Sequence, residues 1–280
     1  MTDAAELLAR AHSLADERDW EGMADILRQG LADFDDDPAV HCWLGVAERE
    51  LGMAGVAYER FKRALALEPT DPYVLATAGN GIAASDDPDA ERALRTAALT
   101  APEVALARLL YGAYLSREGF LDESLAELGA ARSLDPDDAQ VAYELGVAHA
   151  LAGHHEQAAD ALADATRLDP EDGWVRVVFG LVLLEAERPE EAAGELASGA
   201  RLAGEDLDAQ LAAALSAAAI GQEGLAYEML ERARLHADAE DLDLVSAVEE
   251  RLDQGPEAAE ALLREELGPD LLRSRLQERP

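Results

Sequence analysis

Pro136 and Pro170 stand 34 residues apart, and each closes a segment of the same design. The first segment ends SLAELGAARSLDP and the second QAADALADATRLDP. Within the second, Leu145-Gly146 comes early, Gly153 interrupts, and Ala158, Leu162 and Ala165 follow at helical spacing. Both halves place apolar residues three and four apart, so each half is a helix that buries one stripe. A single pair of such helices has nothing to bury its stripe against, so neighbouring pairs have to stack into a solenoid. The period therefore restricts the chain to an all-α array before composition is considered.

The same design recurs along the chain. Residues 2–34 hold two helical patterns, with Leu7, Leu8, Ala11 and Leu14 on one face and Met23, Ile26, Leu27 and Leu31 on another. Later units carry Leu44-Gly45, Gly52, Ala57, Phe61, Ala64 and Pro69; then Gly79, Ala90, Leu94, Ala97 and Pro102; then Tyr111-Gly112, Gly119, Ser124, Leu128, Ala131 and Pro136. Beyond Pro170, Phe179-Gly180, Ala192, Leu196 and Gly199 keep the phase, with Gly204 in the proline position. Ala213-Ala214, Gly221, Ala226, Leu230 and Ala233 form a further unit. The Asp-Pro and Glu-Pro closures end each second helix, because proline disfavours helix at the residue before it.

These residues resemble the tetratricopeptide repeat, a 34-residue helical hairpin with Leu-Gly on its first helix, Ala, Phe or Leu and Ala on its second, and a closing proline. The resemblance implies an α-solenoid, wound as a right-handed superhelix, with repeats at about 4–37, 38–71, 72–104, 105–138, 139–172, 173–206 and 207–240. It also implies that the whole chain, 1–280, is one array, with 241–280 a degraded repeat, broken at Gly255-Pro256, and a capping helix over Asp270–Arg279. The amphipathic segment Leu262–Leu276 is expected to cap the last hairpin, since a terminal repeat needs a polar-faced cover; filling the concave trough is the alternative.

Charge then narrows the partners. The chain has 59 acidic and 23 basic residues, a net charge of −36, and Lys62 is its single lysine. Such a surface repels nucleic-acid phosphates and anionic membranes over a Debye length of about 10 Å at ordinary salt, so neither is an expected partner. Disorder is excluded by 49% apolar content and a clear period. The acid-rich, nearly lysine-free balance resembles proteins of high-salt cytoplasm, and an Arg-favouring GC-rich genome is the competing explanation. One cysteine, Cys42, excludes an internal disulfide and suits a reducing cytoplasm. The leading MTDAAELLAR lacks the positive charge of a signal peptide, and the Leu211–Ile220 run is too short to span a bilayer. The expected location is cytoplasmic.

In the family resembled, the first helix of each hairpin lines the concave binding face. With the closing proline at position 32, the inward positions are about 2, 5, 9, 12 and 13. The residues found there are mostly apolar although the chain is intensely acidic, which points to a partner site. The expected ligand is a protein or peptide, either extended or an amphipathic helix. Candidate groove residues are Tyr73, Asn80, Leu109, Tyr143, Val147, Trp174, Val177 and Leu181. The competing reading is that these side chains pack between repeats, since a shift of one residue in helical phase suffices to bury them.

A two-carboxylate clamp of the kind some members use on acidic peptide tails is not supported: Asn80 alone matches, and Lys62 lies on a second helix. His149, His154 and His155 lack the acidic or Cys partners a zinc site needs, Gly79-Asn80-Gly81 lies in a helix rather than after a strand, and Cys42 has no activating His and reads as a half-buried thiol. No catalytic residue, metal or cofactor is therefore expected. The functional expectation is a non-catalytic adaptor or scaffold. A self-assembling structural protein forming a homo-oligomer is the alternative, and a regulatory module of a separately encoded enzyme a third.

Overall fold

The computed structural model describes residues 3–277; Arg279, where the sequence pattern ends the last helix, lies outside them. The described residues are helical hairpins joined by tight turns, with no strand among them. The helices group into two compact units, Met1–Leu134 and Asp135–Pro280, divided at the Asp135-Pro136 closure.

The first unit comprises α1 (Ala4–Asp16), α2 (Trp20–Phe34), α3 (Pro38–Glu50), α4 (Ala54–Ala66), α5 (Pro72–Ala83), α6 (Asp89–Thr100), α7 (Ala105–Arg117) and α8 (Leu121–Leu134). The second comprises α9 (Ala139–Leu151), α10 (His155–Leu168), α11 (Gly173–Glu185), α12 (Pro189–Leu202), α13 (Leu207–Ala219), α14 (Glu223–His236), α15 (Leu242–Gln254), α16 (Pro256–Leu262), a π-helical turn (Leu263–Leu267) and α17 (Gly268–Gln277). Within each unit every odd-numbered helix up to α13 packs against the next helix in sequence, its hairpin partner.

Aspartates start most of the first helices. The carboxylates of Asp37, Asp71, Asp138, Asp172 and Asp206 each accept a backbone N–H from the first turn of α3, α5, α9, α11 and α13. Such caps satisfy donors that the helix leaves unpaired, at about 1 kcal/mol each. At α7 the cap position is Val104, and no side chain caps the helix.

Glycine sets the approach of the two helices. A Cβ on Gly146 would lie 2.6 Å from Leu162 Cγ, one on Gly180 2.6 Å from Leu196 Cγ, and one on Gly112 2.7 Å from Leu128 Cγ. Each repeat thus seats a second-helix leucine, buried in all three cases, against bare backbone. The inter-helix turns need left-handed backbone, supplied by Gly119 and Gly153 at φ +82° and +73°. In the next repeat Glu187 occupies that place at φ +58°.

Candidate functional site

Position 5 of the first helices is a packing position from the second repeat to the seventh. Cys42, Ala76, Leu109, Tyr143, Val177 and Leu211 are all buried, in both units. Leu109, Tyr143 and Val177 are therefore not open groove residues, and Tyr143 and Val177 belong to the apolar core of the second unit. Cys42 is likewise wholly buried rather than half-buried, and burial, followed by the charge of Asp71, pushes its thiol far above the ordinary range. Position 2 lies at the edge: Tyr73 is 49% exposed and Trp174 half-buried. Position 9 is half-buried at Asn80 and buried at Val147 and Leu181.

The burial of the last two has a specific cause in the second unit. After Gln254 the chain reverses through Gly255, whose φ of +107° is closed to ordinary side chains. Helix α16 then packs back on α13, and α17 packs on α11 and reaches α9. The segment expected to cap the terminal hairpin instead runs across the first helices of the three preceding repeats. Only α15 extends the array, against α13 and α14. The break at Gly255-Pro256 decides this outcome, because it releases the following helix from hairpin geometry.

Leu263, Leu271 and Leu276 of this segment join the apolar core that contains Tyr143, Val147, Val177 and Leu181. Among the described residues, a polar contact stands at the end of the interface. Arg275, 7% exposed, places its guanidinium carbon 4.2 Å from the centroid of the Trp174 ring. Its Nη2 donates to both oxygens of Asp206, at 2.8 and 2.6 Å. Asp206 also caps α13, accepting the Ala209 N–H at 3.0 Å, so the helix start fixes its carboxylate. Trp174 Nε1–H donates to Tyr143 Oη at 3.1 Å, which fixes the indole plane. Nearby, burial and then the charge of Asp206 hold the Asp208 carboxyl above its usual range, with Arg275 opposing them. The arrangement can hold a planar cation on three sides: indole face, carboxylate and apolar helix.

The sequence-level reading missed position 4 as well. Arg108 Nε–H donates to the Pro102 carbonyl and Arg176 Nε–H to that of Pro170, six residues back in each case, and each guanidinium also pairs with a second-helix glutamate, Glu127 or Glu195. Gln210 Nε2–H reaches the Gly204 carbonyl in the same way. These bonds tie α7, α11 and α13 to the closures before them. The recurrent spacing of Arg108 and Arg176 in the sequence was the available signal.

His149 and His154 have ring centroids 5.7 Å apart, and burial followed by His154 holds the His149 imidazole below its ordinary value. Among the described residues no three His, Cys, Asp or Glu side chains converge on one point. No helix among them is long and apolar enough to cross a membrane.

No family model matches the sequence, and no curated protein is similar to it. Solved structures are similar in fold. A Cut9 chain from an anaphase-promoting-complex hetero-tetramer with Hcn1 superposes with a TM-score of 0.70 at 18% identity, over 86% of this chain and 48% of that one. The PilF protein of Pseudomonas aeruginosa gives 0.60 at 19% identity, over 76% and 98%. A tetratricopeptide-repeat protein of Thermus thermophilus, TTC0263, gives 0.55 at 24% identity, over 64% and 98%. The present chain spans about half the length of the Cut9 chain it matches.

Proposed function

We propose that this chain, a tetratricopeptide-repeat protein by fold, is a non-catalytic scaffold that holds an amphipathic helix of a protein partner on the first-helix face of its second unit. The observation that carries the reading is α17 itself, a helix lodged by its leucines on α9 and α11. The reading is supported by an apolar trough, which helix-in-groove recognition requires, together with a polar contact that can set register. Tyr143, Val147, Val177 and Leu181 supply the layer beneath, and Trp174 supplies the edge. Leu181 and Leu184 border a cavity of about 240 Å³ under the segment, alongside Leu263, Gly268 and Pro269. The resident helix thus leaves part of the trough unfilled.

In the first unit the corresponding face presents Tyr73 exposed and Asn80 half-buried, above the buried layer to which Leu109 belongs. These two residues extend the proposal to that unit by itself. Cut9, which shares the fold, occurs in assembly with Hcn1.

The test is affinity capture by the full chain from native lysate, repeated with Trp174→Ala and Tyr73→Ala. The reading expects a partner retained by the wild type and lost from at least one variant. Identical capture by all three chains contradicts it.

A further inference from the structure

The Arg275 contact is more selective than an apolar groove requires. Trp174 is oriented by Tyr143, and Asp206 by the cap it makes on α13, so both walls stand in place independently of the guanidinium between them. A fixed indole face matches the flat, delocalised guanidinium of arginine, and the carboxylate balances its charge through one nitrogen. A lysine ammonium is a compact, strongly hydrated charge and cannot stack in this way. Asp208 adds negative charge close by. The contact also spans 69 residues of sequence, whereas the second-unit Arg–Glu clamp at Arg176 spans 19.

The attachment has weak points. A π-helical turn, Leu263–Leu267, precedes α17, and the cavity of about 240 Å³ lies where that turn crosses α11. Leu272 is only partly buried. Glu185, Glu187 and Arg264 share the cavity's lining, so apolar packing does not seal the tail there. The charge balance favours cationic helices generally: α17 carries Arg273 and Arg275 against Asp270, on a chain of net charge −36.

We infer that Trp174, Tyr143 and Asp206 form an arginine-selective receptacle, and that a partner helix bearing the pattern Leu-Leu-x-x-Arg-Leu displaces α17 by placing its own arginine there. This rests on the proposed helix-binding face and adds the chemistry of its occupant. Arg275 is then a resident stand-in: the tail holds the face closed until a competing helix arrives. Because both helices use one receptacle, partner affinity is reduced by the fraction of molecules in which α17 is docked.

The experiment uses full-length protein and two labelled synthetic peptides, one with the sequence of residues 262–277 and one the same but for Arg275→Lys. Binding is read by fluorescence anisotropy on the wild type and on a Leu271→Asp/Arg275→Ala variant whose tail is undocked, with helicity checked by circular dichroism. The arginine peptide is expected to bind the undocked variant at least tenfold more tightly than it binds the wild type, and at least tenfold more tightly than the lysine peptide does. Adding Trp174→Ala is expected to remove that discrimination. Equal binding of the two peptides overturns the receptacle while leaving the helix-binding face standing. Failure of both peptides to bind overturns the face as well. Equal binding to wild type and undocked variant overturns α17 as the occupant. Concentration-dependent dimers of the wild type that vanish with Arg275→Ala would assign the helix exchange to a second copy and overturn the partner reading. Should the double variant not fold, amide exchange over α17 in Arg275→Lys decides: at least tenfold faster exchange is expected, and unchanged exchange refutes selectivity for arginine.

Discussion

Gly194 and Gly199 lie on one helix, α12, and their surroundings are opposite. Gly194 is exposed, and a Cβ there would meet nothing within 4 Å. On Gly199 the same atom would stand 2.8 Å from Val177 Cγ2, 2.9 Å from Val177 N and 3.0 Å from Gly173 O. The reverse contact is as tight: a Cβ on Gly173 would lie 2.7 Å from Ala203 N. Helices α11 and α12 therefore cross backbone on backbone. Alanine in a helix interior gains roughly 0.5–1 kcal/mol over glycine through reduced backbone entropy. At Gly194 that gain is unopposed, so Gly194→Ala should stabilise the second unit by about that amount. At Gly199 two of the three clashing atoms belong to the main chain and cannot move without shifting α11. Overpacking of this kind costs about 1–3 kcal/mol and outweighs the propensity gain. The net expectation is a loss of about 0.5–2 kcal/mol for Gly199→Ala, opposite in sign to its neighbour. Urea titration followed by circular dichroism measures both, with the slope checked for constancy, because stacked repeats need not unfold in one step. A Gly199→Ala midpoint equal to or above the wild-type midpoint would refute the backbone crossing as the determinant of this geometry.

Two further outcomes are expected. Asp87 accepts hydrogen bonds from the Tyr58 hydroxyl, the Asp89 N–H and Lys62, which together hold its carboxyl down to about 2, against an ordinary 3.8. A depressed folded value means that its contribution is complete above the ordinary value and is lost as pH falls from 3.8 through about 2. In Asp87→Asn the first unit should be less stable at neutral pH and show a shallower acid slope across that window; an unchanged slope in acid-unfolding curves would count against the assignment. Glu187 is exposed, with φ +58° in a turn where Gly119 and Gly153 stand in other repeats. Glu187→Gly should raise the denaturation midpoint by the equivalent of about 1 kcal/mol, and a lowered midpoint would show that the turn is not strained.

The scaffold was largely legible because its determinants are local and periodic. Gly146, Leu162 and Pro170 reappear at fixed intervals, and each performs in the structure the packing or stopping role that its residue type dictates. Helical phase was less legible. Leu109, Tyr143 and Val177 share position 5 with Cys42 and Ala76, and all five are buried. A shift of one residue around the helix separates the groove from the layer beneath it. Trp174 was read as a groove residue and stands half-buried at the edge, and its partner Arg275 was not legible, since nothing local links it to Asp206. The reversal at Gly255 was visible as a break, and a break does not say where the chain goes next.

The lone lysine has a practical consequence. Lys62 lies within α4, its Nζ 3.0 Å from Asp87 and 2.7 Å from Asp89, and no other lysine exists in the sequence. A protease that cuts only after lysine therefore has a single substrate bond in the chain, inside a folded helix of the first unit. Cleavage requires local opening of that unit, so under limiting protease its rate measures the opening equilibrium without any introduced label. The second unit, which has no such bond, stays whole within the fragment 63–280, so the digest gauges the opening of the first unit alone.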